Sequence, residues 1–383
     1  AKYNLRQDMA QKTNPWAIVS NPVMQVRPVF PSYFKNLVMG TFFGITSGLI
    51  AGLLRDRLDN VFHNIEEVKS STGIPPLAHI PYVELFKDLK ENKTSILDSL
   101  KEYDPIQEKE NSSKEAKYQR FFYQEAFRTL YTSLRFLSTE KKLKTITVTS
   151  SVPSEGKSLV NLIFAKTLAD VGEKVLLIDC DLRKPTLHTR IGMNNLKGLS
   201  NLLIDKKIKF KDIIQDVDGY SNWKIITAGI KPPDPTRLLS SSRFQEITEE
   251  LSTSEDFDII IFDTPPVAGI SDATLVAEKT DGIILLVSLN NVDKNIPRES
   301  LLRIRNSKAT LLGSITNSTN SKNEVIYSAG YAGYANASTA NAYASYIDDD
   351  DDENETEEDS PILIKLKKYL FNYFEKLSNW IDN

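Results

Sequence analysis

Cysteine and histidine are scarce in this chain of 383 residues, and each scarcity excludes a kind of site. Cys180 is the one cysteine, so the chain cannot form an internal disulfide, which favours a reducing, cytoplasmic compartment. The three histidines lack the spacing of metal ligands, so we expect no zinc site at His63, His79 or His188. Charged residues make up 26% and hydrophobic residues 40% of the chain, which is typical of a globular protein.

The chain has one long hydrophobic run, NLVMGTFFGITSGLIAGLL, at residues 36–54. The run carries no charge, and about 19 residues of this kind can cross a bilayer as a helix. Its glycines recur at every fourth position and put small residues on one helix face, where another membrane helix can approach closely. The sequence therefore predicts a transmembrane helix at 36–54, and the alternative is a buried core helix.

The segments on either side of this run are expected to differ in location. Residues 1–35 are proline-rich and are interpreted as an extracytoplasmic linker. Because the chain starts with Ala1 rather than methionine, we expect further chain to precede it. Residues 55–118 are expected to form a cytoplasmic connector, in which 58–82 holds a short helix and then a turn broken by prolines.

From residue 119 the sequence predicts an α/β domain that extends to residue 320. A helix comes first, since apolar residues recur at helical spacing at Phe122, Ala126, Leu130, Leu134 and Leu137. Helical patterns at 157–171 and 241–252 then alternate with short, continuous apolar runs, which suit strands buried on both faces of a parallel sheet. The expected fold is a doubly wound, mostly parallel sheet. Its predicted strands are KTITVTS (144–150), KVLLIDCD (174–181), FDIIIFDTPP (257–266), DGIILLVSL (281–289) and ATLLGSITN (309–317).

A candidate phosphate-binding loop, SSVPSEGKS at residues 150–158, lies between a predicted strand and a predicted helix. Its end matches G-x-x-x-x-G-K-[ST], in which backbone N–H groups and the helix dipole attract phosphate oxygens. The backbone at Gly156 can approach a nucleotide, Lys157 can reach the outer phosphates, and Ser158 offers a hydroxyl to Mg²⁺. The match is not strict, because Ser151 replaces the first glycine. The expected nucleotide-binding residues are Ser151, Pro153, Ser154, Glu155, Gly156, Lys157, Ser158 and Asn317, which ends a late strand and is a candidate for adenine contact.

Carboxylates end two of the predicted strands. Asp179 and Asp181 follow one apolar run, and Asp263 ends another. Ligands bind at the carboxyl ends of parallel strands, so these side chains are expected beside the loop. We expect ATP to bind there with Mg²⁺ held by Ser158, Asp179 and Asp263. The expected catalytic residues are Lys157, Asp179 as the base that takes a proton from an attacking hydroxyl, and Asp181 as its support or that of the metal.

The periodic pattern ends after residue 320. A tyrosine cluster at 321–347 is embedded in alanine, glycine and serine, and an acidic run follows at 348–360, so both are expected to be disordered. Residues 361–383 place apolar residues on one helix face and lysines elsewhere. This amphipathic helix is expected either to lie on an anionic membrane or a partner, or to pack on its own domain.

In this order, the motifs resemble those of the bacterial tyrosine kinases of capsular and exopolysaccharide assembly. SSVPSEGKS is similar to that family's Walker A motif, LLIDCDLRKP to its second Walker motif, and IIIFDTPPV to its Walker B motif. PPDPTRLLSSSRF is similar to a further family segment, and residues 20–82 resemble the end of the family's chain-length-determinant region with its second membrane helix. The resemblance implies a P-loop NTPase fold and a protein-tyrosine autokinase that uses ATP and Mg²⁺. It also implies a bacterial inner membrane location with the kinase domain in the cytoplasm.

The resemblance assigns the tyrosine cluster as the substrate, phosphorylated in trans within a homo-oligomeric ring, for which an octamer is one candidate size. Each phosphate adds a charge of about −1.5 to −2, and we hypothesise that this charge loosens the ring. The implied partners are the membrane, the polysaccharide polymerase and export machinery, and a phosphotyrosine phosphatase, with no nucleic acid. The expected phosphoacceptors are Tyr327, Tyr331, Tyr334, Tyr343 and Tyr346.

One motif departs from the family pattern. Family members carry a Glu-x-x-Arg-x-x-Arg helix that contacts the neighbouring subunit. Glu125 and Arg128 match it and are the expected oligomer contacts, but Tyr131 replaces the last arginine. The ring contact is therefore expected to be weaker or different, and Tyr131 is itself a candidate phosphorylation site.

Two other functions are compatible with parts of the sequence. A partitioning ATPase of the deviant Walker class carries a lysine just after the first loop glycine, and Val152 occupies that position here. The tyrosine cluster also has no role in such an ATPase. The second alternative is a membrane scaffold in which nucleotide binding controls polysaccharide chain length without phosphotyrosine.

Overall fold

The structure is a computed structural model that describes residues 32–82, 114–138 and 143–318, with backbone only for 114–121. The expectations for residues 1–31, 83–113 and 319–383 lie outside the described residues. These include the tyrosine cluster, the acidic run and the C-terminal amphipathic helix.

The five predicted strands are present, together with three strands that the apolar runs did not predict. The helices are α1 (Tyr33–Leu58), α2 (Ile65–Thr72), α3 (Lys114–Leu137), α4 (Lys157–Asp170), α5 (Leu187–Ile191), α6 (Leu199–Ile204), α7 (Pro235–Leu239), α8 (Ser242–Thr253), α9 (Asp272–Ala277) and α10 (Asn295–Asn306). The strands are β1 (Pro76–Ile80), β2 (Thr145–Ser150), β3 (Val175–Asp179), β4 (Ile214–Asp216), β5 (Trp223–Ile226), β6 (Ile259–Asp263), β7 (Gly282–Leu289) and β8 (Leu311–Ser318).

Helix α1 contains the whole hydrophobic run and belongs to a compact unit that ends at Asn60. None of its residues is buried in the protein, and large apolar side chains such as Phe42 and Leu53 are about two-thirds exposed, at 65% and 67%. Among the described helices, α1 is the one long and apolar enough to cross a membrane. A core helix would bury its apolar side chains, so the exposure favours the predicted membrane helix.

The second compact unit begins at Val61 and contains one eight-stranded sheet in the order β1-β8-β7-β2-β6-β3-β5-β4. All neighbouring strands are parallel except β4, which runs antiparallel to β5. Alternate residues of the central strands enter different clusters: Ile284 packs with α3 and α4, whereas Ile283 and Leu285 pack with α10 on the opposite face. The sheet is thus covered on both faces, and the predicted doubly wound α/β fold is confirmed.

Residues 76–80 form edge strand β1, where the sequence predicted a proline-broken turn. The strand pairs with β8, and Ser314 N–H donates to Pro75 O at 2.9 Å. Prolines are tolerated at the first position of an edge strand, because the missing N–H is not needed there. Pro75 and Pro76 therefore mark the start of a strand.

Helix α3 covers β1 with a buried stripe that differs in part from the predicted one. Tyr123 and Phe127 are buried at 6% and 0% exposure, while the expected Phe122 and Ala126 are only half-buried. Leu130 and Leu134 are buried as predicted, but Leu137 is 45% exposed. Both stripes have helical spacing, and the observed one buries the larger aromatic side chains.

Candidate nucleotide and phosphotransfer site

The candidate phosphate-binding loop connects β2, which ends at Ser150, to α4, which begins at Lys157. Its backbone is unusual at two positions, because Ser154 has a φ of 70° and Gly156 a φ of 92°. A non-glycine residue rarely adopts a positive φ. The positive φ favours glycine at residue 156, and a Cβ atom there would lie 2.7 Å from Asn317 Nδ2, so the Asn317 side chain would have to shift.

The side chain of Glu155 points into the protein rather than out of the loop. It is 1% exposed; its Oε2 accepts the N–H of Val152 at 2.7 Å, and its Oε1 accepts the N–H of Ser288 on β7 at 2.9 Å. Burial raises the pKa of this carboxyl to about 7, although the backbone N–H donors oppose the shift. The main-chain oxygen of Glu155 also accepts a hydrogen bond from Asn317 Nδ2 at 2.8 Å.

Lys157 and Asp263 form an ion pair at the carboxyl end of the sheet. Lys157 is 7% exposed and Asp263 is 1% exposed, so the pair is almost entirely removed from solvent. Asn161, one turn further along α4, donates to the same Asp263 Oδ1 at 2.7 Å. Within the described part of the chain, the other oxygen, Asp263 Oδ2, is buried and has no hydrogen-bond partner.

Asp179 lies beside Asp263, because the two residues are in register on neighbouring strands β3 and β6. Its two oxygens accept backbone N–H groups from Asp181 at 3.1 Å and Leu187 at 3.3 Å. Burial, and next the nearby charge of Asp263, raise the pKa of Asp179 well above its ordinary value, while Lys157 opposes the rise. Burial also raises the pKa of Asp181, which is half-buried at the same edge.

Ser158, Asp179 and Asp263 are the Mg²⁺ ligands that the sequence predicted. Ser158 Oγ accepts a hydrogen bond from Thr186 Oγ1 at 3.3 Å and lies 3.5 Å from Lys157 Nζ. Among residues 32–82, 114–138 and 143–318, no group of three or more Asp, Glu, His or Cys side chains is arranged as a metal site. Mg²⁺ usually keeps waters and binds through one or two carboxylates plus substrate phosphates, so a hydroxyl and the unpartnered Asp263 oxygen suit it better than a protein cage.

A clamp that the sequence analysis did not find joins three segments at this edge. Arg183 Nε donates to Asp272 Oδ2 at 2.6 Å, and Arg183 Nη2 donates to Asp272 Oδ1 at 3.2 Å and to Thr236 Oγ1 at 2.7 Å. Asp272 is 1% exposed. Paired bonds between arginine and a carboxylate are strong and directional, so this contact holds the chain after β3 against α7 and α9. Arg183 lies in the LLIDCDLRKP motif, but nothing in the sequence pointed to its partners.

The remaining predicted residues are placed as follows. Ser151 is buried with an unpartnered hydroxyl within the described residues, whereas Pro153 and Ser154 are exposed at the tip of the loop. Glu125 and Arg128 form an ion pair of 3.6 Å on the outside of α3, with side chains 49% and 58% exposed. The five expected phosphoacceptor tyrosines, Tyr327, Tyr331, Tyr334, Tyr343 and Tyr346, lie outside the described residues.

Comparison with known proteins agrees with this fold. A family model described as an AAA domain matches residues 143–296. Tyrosine-protein kinase YwqD of Bacillus subtilis is 36% identical over 193 residues, which cover 50% of this chain and 80% of YwqD. Tyrosine-protein kinase etk of Escherichia coli K12 is 29% identical over 317 residues, which cover 81% of this chain but 42% of etk.

A solved structure extends the likeness to three dimensions. The kinase domain of the Escherichia coli tyrosine kinase ETK matches with a TM-score of 0.57 and 27% identity, over 70% of this chain and 98% of that domain. The fold and the nucleotide loop define a P-loop NTPase domain. More narrowly, the chain belongs to the family of bacterial tyrosine-protein kinases of capsular and exopolysaccharide assembly.

Proposed function

We propose that this chain is an ATP-dependent protein-tyrosine autokinase that acts in capsular or exopolysaccharide polymerisation and export. The observation that carries the proposal is the meeting of Lys157, Asp263 and Asp179 beside a loop with the backbone of a phosphate site. Buried charges of both signs at the carboxyl end of a parallel sheet suit a bound triphosphate. The named kinase relatives support the same activity.

Each residue of the site has a proposed part in binding. Pro153 has no backbone N–H to donate. The N–H groups of Ser154 to Ser158, and those of the first turn of α4, therefore hold the phosphates. Lys157 leaves or shares its contact with Asp263 to reach the outer phosphates. Ser158 and Asp263 would hold Mg²⁺, with Asp179 beside Asp263 on the neighbouring strand, and the ion would supply positive charge to the phosphates.

Asp179 is the proposed general base. A tyrosine phenol oxygen attacks the γ-phosphorus of ATP, an O–P bond forms, the bond to the β-phosphate oxygen breaks, and ADP leaves. The phenol proton passes to Asp179, which lies beside Asp263 at the carboxyl end of the sheet. Asp181 keeps Asp179 oriented, since its N–H donates to Asp179 Oδ1.

The proposed substrates are Tyr327, Tyr331, Tyr334, Tyr343 and Tyr346, phosphorylated in trans by a neighbouring copy of the chain. Glu125 and Arg128 are proposed to contact that copy, because their side chains remain about half exposed on α3. We further propose that α1 anchors the protein in the bacterial inner membrane and that the domain from Val61 lies in the cytoplasm. The polysaccharide machinery and a phosphotyrosine phosphatase remain proposed partners.

A partitioning ATPase is less well supported. Such an enzyme needs a second loop lysine that reaches the partner's nucleotide, but Val152 stands at that position and its N–H is bound by Glu155. A hydrolase of this kind would also leave the tyrosine cluster without a function.

Incubation of the full chain in detergent with Mg-ATP tests the proposal. Phosphotyrosine detected by mass spectrometry within 321–347 supports the autokinase. Free phosphate without phosphotyrosine would instead support the ATPase. Neither product, in a chain that still binds nucleotide, would support the scaffold.

A further inference from the structure

The nucleotide loop lacks the first glycine of its pattern, yet its backbone adopts an unusual conformation. Ser151 stands in place of that glycine, and Ser154 has a φ of 70° without being glycine. A positive φ at a serine costs free energy and persists only where surrounding contacts hold it. Those contacts must come from within the loop or from the strands beneath it.

Glu155 supplies the contacts from its side chain. Its carboxylate joins the loop to itself through Val152 N–H at 2.7 Å, and joins the loop to β7 through Ser288 N–H at 2.9 Å. Both oxygens accept from backbone donors, and backbone N–H groups have fixed directions. One buried side chain therefore determines how two parts of the loop lie relative to the sheet.

The main-chain oxygen of Glu155 makes a third hydrogen bond. Asn317 on β8 donates to Glu155 O at 2.8 Å, and a Cβ on Gly156 would displace this amide nitrogen. Glu155 is thus bound to the loop, to β7 and to β8, and it immediately precedes Gly156 and Lys157. Any rotation of the Glu155 peptide would move the N–H groups that face a phosphate.

We propose that Glu155 is a positioning residue that sets the shape of the nucleotide loop in place of the missing glycine. The inference rests on the proposed nucleotide-binding function. Glu155 touches no phosphate in this account, because its 1% exposure and its two inward hydrogen bonds direct its charge away from the mouth of the loop. It acts through the N–H groups of Val152 and Ser288.

Glu155→Gln is the discriminating variant, since glutamine has the same shape but only one acceptor oxygen. The NH₂ group of glutamine must face either Val152 N–H or Ser288 N–H. Two donors then face each other, and one of the two hydrogen bonds is lost. Asp281→Ala is the control for a general loss of stability, because alanine removes the acceptor oxygen altogether. Asp281 Oδ2 accepts the N–H groups of Lys144 and Thr145 at 3.0 and 2.9 Å, but at the opposite, amino end of β2.

The readout is the affinity of the full chain in detergent for a fluorescent ADP analogue with Mg²⁺, together with the thermal midpoint. At a pH above 7, where Glu155 is ionised, we expect Glu155→Gln to weaken binding by about tenfold or more, while Asp281→Ala loses stability but binds like the unmodified chain. Equal affinity for Glu155→Gln and the unmodified chain would overturn the inference. So would equal weakening in both variants, because that would indicate a general effect of lower stability.

A second variant tests the positioning role of Glu155 if Glu155→Gln does not fold. Glu155→Asp keeps the charge but is one methylene shorter, so it cannot reach both donors, and we expect affinity between that of the unmodified chain and the glutamine variant. Affinity equal to that of the unmodified chain would overturn the inference. If the unmodified chain itself bound no nucleotide, the proposed function would fail; normal binding there with an unaffected Glu155 variant would remove only the role of Glu155.

Discussion

Lys157 and Asp263 pair in the interior of the domain, at the point where the nucleotide loop meets the carboxyl end of β6. Few lysines are buried to 7% exposure, and those that are need a compensating charge. The pair keeps the loop lysine in place beside the proposed phosphate site. It also keeps Asp263, the proposed metal ligand, beside Asp179.

Lys157→Met is expected to reduce autophosphorylation by about a hundredfold or more, because the outer phosphates lose their positive partner. Far-ultraviolet circular dichroism should still show a folded domain, because Asn161 still donates to Asp263, although the free energy of unfolding should fall as Asp263 loses its charge partner. Lys166→Met is the control on the same helix; Lys166 pairs with Asp170 at 2.7 Å, away from the loop. Comparable loss in both variants would contradict the role given to Lys157. Phosphotyrosine formation is the measurement.

Asp263→Asn is expected to abolish activity and to lower the free energy of unfolding by about 3 kcal/mol. Removing one member of a buried ion pair leaves the other charge without compensation, here the charge of Lys157. Asp258→Asn serves as the control, because Asp258 accepts Lys174 N–H at 2.9 Å at the opposite end of β6. Phosphotyrosine and urea unfolding are measured together. An active Asp263→Asn enzyme would be incompatible with the proposed metal site.

Arg128→Ala is expected to lower the mass of the assembly and the rate of phosphorylation in trans without changing nucleotide affinity. Arg128 lies on the outside of α3 and contacts only Glu125 by an ion pair in the described residues, so its removal should leave the domain stable. Thr132→Ala, one turn further along and also exposed, is the control. Light scattering in detergent gives the mass. An Arg128→Ala assembly of unchanged mass would contradict the proposed contact between copies.

His79 on the edge strand β1 is expected to lower the stability in mild acid, against the opposite contribution of Glu155, whose pKa is raised. His79 Nδ1 lies 2.9 Å from Thr316 Oγ1 on β8, and burial lowers the pKa of the imidazole from 6.5 to about 4. The folded state thus favours neutral His79, so its contribution is complete above pH 6.5 and is lost as the pH falls from 6.5 towards 4.

The loss should not exceed about 3 to 4 kcal/mol, which corresponds to the lowering of the pKa of His79 from 6.5 to about 4. Urea unfolding at several pH values measures it. Relative to the unmodified chain, His79→Gln should gain stability as the pH falls from 6.5 to 4, whereas His63→Gln, at an exposed histidine, should follow the unmodified chain. Identical pH profiles for the unmodified chain and His79→Gln would contradict the prediction.

The central strands and the loop were predictable because their signals are local. Continuous apolar runs such as VLLID and IIIFD indicate strands buried on both faces, and the G-K-S ending indicates a phosphate loop. The position of Asp179 beside Asp263 also followed, since carboxyl ends of parallel strands share one edge.

The edge strands and the side-chain contacts of the site were not predictable, because they depend on contacts between residues far apart in the sequence. Edge strand β1 was missed because prolines suggest a turn, and β5 because four residues with Lys224 among them give no clear pattern. The partner of Arg183 lies 89 residues away at Asp272, beyond the reach of any local rule. The loop motif covers the position of Glu155 but does not indicate the direction of its side chain, which here points into the protein.

Transfer between copies is the central claim, and one mixing experiment tests it most directly. A Lys157→Met chain grown with heavy isotopes is incubated with Mg-ATP and an otherwise unmodified chain whose five cluster tyrosines are phenylalanine. Mass spectrometry then reads phosphotyrosine on the heavy chain alone. The account predicts phosphate on tyrosines within 327–346 of the heavy chain; a heavy chain without phosphotyrosine, beside a light chain that consumes ATP, would contradict it.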